Sequence, residues 1–201
     1  MEYIIFYWVS WFFWIIVTFF MNKGITRTML AFFLLHLILL ASINLTLFQI
    51  DINLAFLLIV ITSCIVLTTQ NHKFYRTLII LFIAYSYTGS RLWEIVNPIW
   101  FFIPRTLLYG LVFSFISILF GRNIIERFLV SCLTVSLGEI IYVVIVQQIG
   151  WKESLGNSEL MNLLLLQAGV IFTFYVIREI KIKLEVILQQ IEQQKKRWTN
   201  E

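Results

Sequence analysis

Seven stretches of the chain are apolar over a length that crosses a bilayer: about Tyr3–Met21, Thr28–Phe48, Ile52–Thr69, Thr77–Val96, Pro98–Phe120, Phe128–Ile149 and Leu160–Ile177. In hydrocarbon every backbone donor and acceptor must be satisfied inside the segment, and these runs do not alternate as barrel strands do, so each predicts a helix. After Ile177 polarity rises but the period survives. Ile177, Ile180, Leu184, Ile187 and Ile191 recur at steps of three and four, a short a/d stripe. Helix seven is therefore expected to continue for roughly 20 residues, about 30 Å at 1.5 Å per residue. The pattern predicts an all-α membrane protein, a bundle of about seven transmembrane helices over residues 1–177 with an amphipathic cytoplasmic helical tail over 178–201.

Two readings of the tail stay open. It lies on the membrane with Lys195, Lys196, Arg197 and Trp198 at the headgroups. Or the stripe of Ile180, Leu184, Ile187 and Ile191 pairs with a membrane-protein partner or a second copy.

Charge sets the orientation. Lys23 and Arg27 fall in the first loop, Lys73 and Arg76 in the third, Arg122 and Arg127 in the fifth, and Arg178, Lys181 and Lys183 begin a basic tail. The second loop offers only Asp51, and the sixth sets Lys152 against Glu153 and Glu159. Positive charge thus alternates with loop number, which places the N-terminus outside and the C-terminus in the cytoplasm of a multi-pass cell-membrane protein. Arg105, on the outer side, is the exception. His72 is read as a cytoplasmic-loop residue.

The Asn97–Pro98 step is read as the start of helix five, since Asn caps helices and Pro tolerates the first position. Trp93, Trp100, Phe101 and Phe102 around it fit an interfacial aromatic belt, and Pro104 is expected to bend the early part of that helix.

Composition agrees. The chain is 60% hydrophobic and only 13% charged, against about 25% charged in a soluble domain. The net charge of +4 is spread through the loops, so it points to topology and not to nucleic acid. Glu2 stands where a signal peptide would carry basic residues, and Lys23 and Arg27 follow the apolar run, so the first segment is expected to remain as an anchor. Cys64 and Cys132 each sit within an apolar run and are read as small packing residues.

Against that background, ionisable groups within spans stand out, because inserting one costs about 2.5–3.5 kcal/mol on translocon scales. Arg91 and Glu94 share a face of helix four, and Glu139 lies on helix six. Counted from the inner ends, Glu139 comes out about 16 Å deep and Arg91 about 20 Å. Arg91 is expected to find its counter-charge in Glu94 or Glu139, with Asn44 and Gln167 at broadly similar depth. The cluster is either an interhelical network that holds the bundle together or a polar cavity open to the outside. His36, alone among leucines, is read as a hydrogen-bonded packing residue. The tripeptide Asn44-Leu45-Thr46 matches a glycosylation acceptor but is set aside because it falls within the second apolar run.

No phosphate-binding loop, zinc-protease helix or nucleophile elbow occurs in the sequence. Histidine, cysteine and carboxylate do not cluster at metal-ligand spacing, and every lysine lies in a loop or the tail. No catalytic residue, metal or cofactor is expected; enzyme chemistry would have to rest on Glu139, Glu94, Arg91 and tyrosines such as Tyr85, Tyr87 and Tyr142. The partners expected are the lipid bilayer and whatever meets the tail.

The aromatic first helix, Phe6-Tyr7-Trp8 through Trp14 to Phe19-Phe20-Met21 and Lys23, resembles the small YphA/SeaA membrane proteins of spore-forming bacilli. So does Leu92-Trp93-Glu94 running into Asn97-Pro98-Ile99-Trp100, although an acidic residue is expected where Asn97 stands. Length, number of apolar runs and basic tail are similar over essentially the whole chain. The resemblance implies a forespore membrane protein that contributes to spore-envelope assembly, and it brings no catalytic residues with it. The function expected is thus a non-enzymatic membrane protein supporting envelope assembly. The alternative is a transporter, or a lipid- or solute-binding protein, using the region around Arg91, Glu94 and Glu139.

Overall fold

A computed structural model describes residues 3–47, 50–70, 73–98 and 103–199, with the side chains of Lys73, Ile191 and residues 193–199 outside the description. Phe48, His72, Trp100, Phe101 and Phe102 therefore lie outside the described residues, as do the side chains of Ile191, Lys195, Lys196, Arg197 and Trp198.

Seven α-helices are present among these residues: α1 (Ile4–Phe20), α2 (Ile25–Leu40), α3 (Leu54–Thr68), α4 (Lys73–Val96), α5 (Arg105–Phe120), α6 (Ile124–Gln148) and α7 (Ser158–Thr199). The helix α6 is central and packs on α3, α4, α5 and α7, while α1 covers α2 and α7. Its small and hydroxylic residues Ser131, Thr134, Ser136 and Gly138 are all buried, and they let neighbouring backbones come close. The closest approach is at Gly138, where a β-carbon would stand 2.8 Å from the Ala84 carbonyl oxygen on α4. Thr88 of α4 uses that proximity, donating its hydroxyl to the carbonyl of Gly138 at 2.8 Å.

Side-chain pairings fix the direction of each helix. Arg76 meets Glu126 and Tyr87 meets Glu139, so α4 and α6 run parallel. Arg105 meets Glu159 on α7, and Tyr109 meets Ser90 on α4, so α5 runs with α7 and against α4. Tyr3 donates to the Gly156 carbonyl and Phe13 meets Phe172 edge to face, which aligns α1 with α7. The chain runs up and down the bundle, and successive connections fall at opposite ends. One end carries Lys23, Arg27, Arg76, Arg122 and Arg127; the other carries Asp51, Glu94, Arg105, Lys152, Glu153 and Glu159.

The second apolar run does not form one helix to Phe48. The helix α2 stops at Leu40, and an antiparallel hairpin of β1 (Asn44–Leu47) and β2 (Ile50–Asn53) follows, with Asn44 opposite Asn53 and Leu47 opposite Ile50. The cause is local. Buried Asn53 accepts the Ala55 and Phe56 amides through Oδ1, which caps α3, and donates Nδ2 to the Ala41 carbonyl and to Asn44 Oδ1. One side chain thus closes the end of α2, β1 and the start of α3. Leu155 adds to the hairpin through a parallel bridge with Ile52. Gly156 follows at φ +78°, where a β-carbon would meet Phe56 and Asn53 within 2.8 Å. The tripeptide Asn44-Leu45-Thr46 accordingly lies exposed on a strand and not in a helix.

Helix five also begins later than expected. The helix α4 ends at Val96 and α5 starts at Arg105, with Pro104 at the cap, accepting the Leu107 and Leu108 amides through its carbonyl. Pro104 starts the helix and does not bend it, since a residue without an amide proton loses nothing where no intrahelical acceptor exists.

Large apolar side chains cover the outside. Trp8 is 72% exposed, Phe82 75% and Phe115 62%, on three different helices, which is a surface for lipid and not for water. Two helices, α6 and α7, combine the length and hydropathy needed to cross a bilayer. The apolar helices α1, α2, α3 and α5 have 15 to 17 residues, below the roughly 20 that a hydrocarbon core calls for.

Candidate functional site

The charged residues of α4 and α6 meet at the hairpin end of the bundle. Arg91 is 5% exposed and sits between two carboxylates, with Nη1 3.4 Å from Glu94 and Nη2 3.4 Å from Glu139. Its guanidinium carbon lies 4.5 Å from the centre of the Tyr142 ring, a cation–π contact on α6. The second oxygen of Glu139 accepts the Tyr87 hydroxyl at 2.8 Å. Glu139, 2% exposed, is therefore held by α4 through a cation and a neutral donor.

The network runs outward from Glu94. Arg105 donates Nε to Glu94 at 2.6 Å and Nη1 to Glu159 at 2.8 Å, and the Tyr109 hydroxyl reaches Glu94 at 3.3 Å. Four helices are joined: α4 by Tyr87, Arg91 and Glu94; α5 by Arg105 and Tyr109; α6 by Glu139 and Tyr142; α7 by Glu159. Arg105 is 41% exposed, so its pairs face water and are worth less than the inner ones. This pairing also accounts for Arg105, one of two positive charges at the mainly acidic end.

Charge balance decides what the network can do chemically. Two arginines face three carboxylates, and both oxygens of Glu139 already have donors. Arg91 Nε is buried without a partner among the described residues. The adjoining cavity, lined by Tyr87, Arg91, Arg105, Glu139 and Asn157 among others, has about 10 Å³. That is room for one water, which would satisfy Nε, and not for a solute.

Asn44 and Gln167 do not join this cluster. Asn44 stands on β1 and accepts from Asn53. Gln167, fully buried on α7, accepts the Ser131 hydroxyl at 2.7 Å and forms a separate α6–α7 contact. Depth alone grouped the five residues; the hairpin took Asn44 out of its helix, and Gln167 faces a different part of α6. Tyr85 is exposed on α4, away from the network. His36 bonds the Phe32 carbonyl of its own helix at 2.9 Å and stacks on that ring. Among the described residues no group of three potential metal ligands comes together.

The sequence reading missed Arg105, Tyr109 and Glu159 as members, and Asn53 as the hairpin's organiser. The spacing of Arg105 from Tyr109, one helical turn, was the available signal for the first two.

The stripe residues Ile180, Leu184 and Ile187 are all exposed on the projecting half of α7, a single helix of 42 residues. Among the described residues the last buried apolar residue of that helix is Ile171; Phe172 and Phe174 still touch Phe13 and Arg127, and the helix projects from the bundle beyond them.

The family described as "YphA-like integral membrane protein" matches residues 2–197. The chain belongs to that family. A relative within reach of it, "Uncharacterized protein YphA" of Bacillus subtilis (strain 168), is 24% identical over 198 residues, covering 98% of this chain and 96% of the relative. No solved structure matches the chain. Membership of the YphA-like family makes this an integral membrane protein, which accords with its exposed aromatic and aliphatic surface.

Proposed function

We propose that this protein is a non-enzymatic, seven-span scaffold of the cell membrane that supports assembly of the cell envelope, the spore envelope in particular. Its N-terminus lies outside and its tail in the cytoplasm. The up-and-down course of the helices and the gathering of basic loops at one end support that topology. The short helices α1, α2, α3 and α5 fit it if the bilayer thins locally or flanking residues reach the interface, each at modest cost.

The observation that carries the scaffold reading is the projecting half of α7. A rigid helix rises about 1.5 Å per residue, and here it leaves the bundle with Ile180, Leu184 and Ile187 uncovered. A membrane protein whose inner charges are paired with one another, and whose apolar stripe is uncovered on the projecting helix, is built to hold something and not to convert it. The transporter or solute-binding alternative needs space around Arg91, Glu94 and Glu139, and the cavity of about 10 Å³ there does not provide it.

A strain lacking the protein tests the proposal through growth, sporulation, resistance of the spores and imaging of the envelope. The expected result is a defect in envelope structure or spore resistance that the full chain restores. A strain indistinguishable from its parent in all four measurements counts against the role.

A further inference from the structure

A second cavity lies at the basic end of the bundle, far from the ionic network, and it is lined by Tyr75, Arg76, Ile79, Phe120, Arg122 and Glu126. At about 170 Å³ it has more than ten times the roughly 10–15 Å³ that one water centre needs. Its walls come from the start of α4, the end of α5, the α5–α6 turn and the first turn of α6.

Its electrostatics are uneven by design of the contacts. Glu126 spends one oxygen on Arg76 Nη2 at 2.6 Å and the other on the Arg122 backbone amide at 3.1 Å. Gln70 takes Arg76 Nη1 at 3.3 Å. Each carboxylate oxygen thus already has a donor, and the geometric effect is to hold Arg76 at the cavity wall. The Arg122 guanidinium is exposed and has no partner among the described residues. The neighbouring Arg127 is committed elsewhere, donating to the Gly121 carbonyl and lying over the Phe174 ring. Two guanidinium groups against one occupied carboxylate leave a net positive wall with several free N–H donors. Opposite them, Ile79, Phe120 and Tyr75 offer apolar surface, the latter two exposed towards the bundle's exterior.

The geometry points to a binding site for an anionic phosphate group in this cavity, with Arg122 as its principal ligand and Arg76 as the second. Arginine is suited to it because its planar fork matches phosphate oxygens two at a time. A phospholipid headgroup without a compensating cation fits the mixture of basic and apolar walls at the membrane surface, as basic pockets between membrane helices do elsewhere. Free phosphate shares the same chemistry. This inference goes beyond the scaffold role and holds or fails independently of it.

Native mass spectrometry of the full chain released from mild detergent tests the site with phosphatidylglycerol, phosphatidylcholine and inorganic phosphate. The expected result is tighter retention of phosphatidylglycerol than of phosphatidylcholine, by roughly tenfold, and a loss of about tenfold in that affinity in Arg122→Gln. Arg122→Lys should fall between, and Lys152→Gln, at the opposite end, should bind as the parent does. Because Arg122 is exposed, its substitution should leave the lipid-free melting temperature unchanged. Displacement of phosphatidylglycerol by millimolar inorganic phosphate, abolished in Arg122→Gln, would support the site and name free phosphate as its occupant. Equal retention of both lipids with no phosphate effect, or unchanged binding in Arg122→Gln, overturns it.

Discussion

Tyr87 on α4 and Glu139 on α6 are joined by a 2.8 Å hydrogen bond, and the same carboxylate lies 3.4 Å from Arg91, one turn along α4. This arrangement makes a buried charge tolerable: the anion has a donor for each oxygen, and the cation has two anions and an aromatic face. In lipid, helices have no hydrophobic drive to associate, and such contacts, with close packing, take its place.

Removing one member should therefore hurt more than removing the pair. Arg91→Gln strands Glu139 at 2% exposure and should destabilise the bundle by about 3–5 kcal/mol, seen as a lower melting temperature in detergent. Tyr87→Phe, which leaves Glu139 its arginine, should cost only about 1 kcal/mol. The double replacement Arg91→Met with Glu139→Leu should recover most of the loss and, on the scaffold account, most of the activity in complementation. A double variant that folds but does not complement would make the charges functional.

The α4–α6 contact depends on Gly138. A β-carbon there would stand 2.6 Å from the Tyr87 ring and 2.8 Å from the Ala84 carbonyl, a backbone atom that cannot turn aside. Gly138→Ala should lower stability by about 1–3 kcal/mol through overpacking. Gly89→Ala, on the same helix pair but with nothing within 4 Å of the new methyl, should be neutral or stabilising. Equal melting temperatures for the two variants would mean the helices are not this close.

The ends of the bundle should lie on opposite sides of the membrane. In a chain with Cys64→Ala and Cys132→Ala, a new thiol at Lys152→Cys should react with an impermeant maleimide on intact cells. One at Arg122→Cys should react only after the membrane is opened. The reverse pattern would invert the orientation that the basic loops indicate.

How much of this was readable beforehand depends on what each residue answers to. The apolar runs answer to lipid, a property of composition, so helices α1 to α7 were visible at the right places. Their ends answer to single polar contacts. Nothing in a hydropathy pattern distinguishes a continuing helix from a hairpin held by one asparagine, so Asn53 and the strands around it were overlooked although Asn before Leu-Ala-Phe is a sound cap. Pro104 shows the same weakness: proline marks a helix start as readily as a bend, and only the chain before it decides which. Arg91, Glu94 and Glu139 could be singled out because charge within a span is rare. Their true partners Arg105 and Glu159 sit at helix ends, where charge is common and carries no such signal. Gln167 and Asn44 were misgrouped because depth gives one coordinate and the direction of a side chain around its helix gives another.

Complementation by a chain lacking residues 181–201 tests most directly whether the projecting half of α7 does the protein's work. Among the described residues Ile171 is the last buried apolar residue of that helix, so the truncated protein should reach the membrane in parental amounts with an unchanged melting temperature. It should nevertheless fail to restore the envelope of a strain lacking the protein. Full restoration by the truncated chain would contradict the claim that this protein works through its tail.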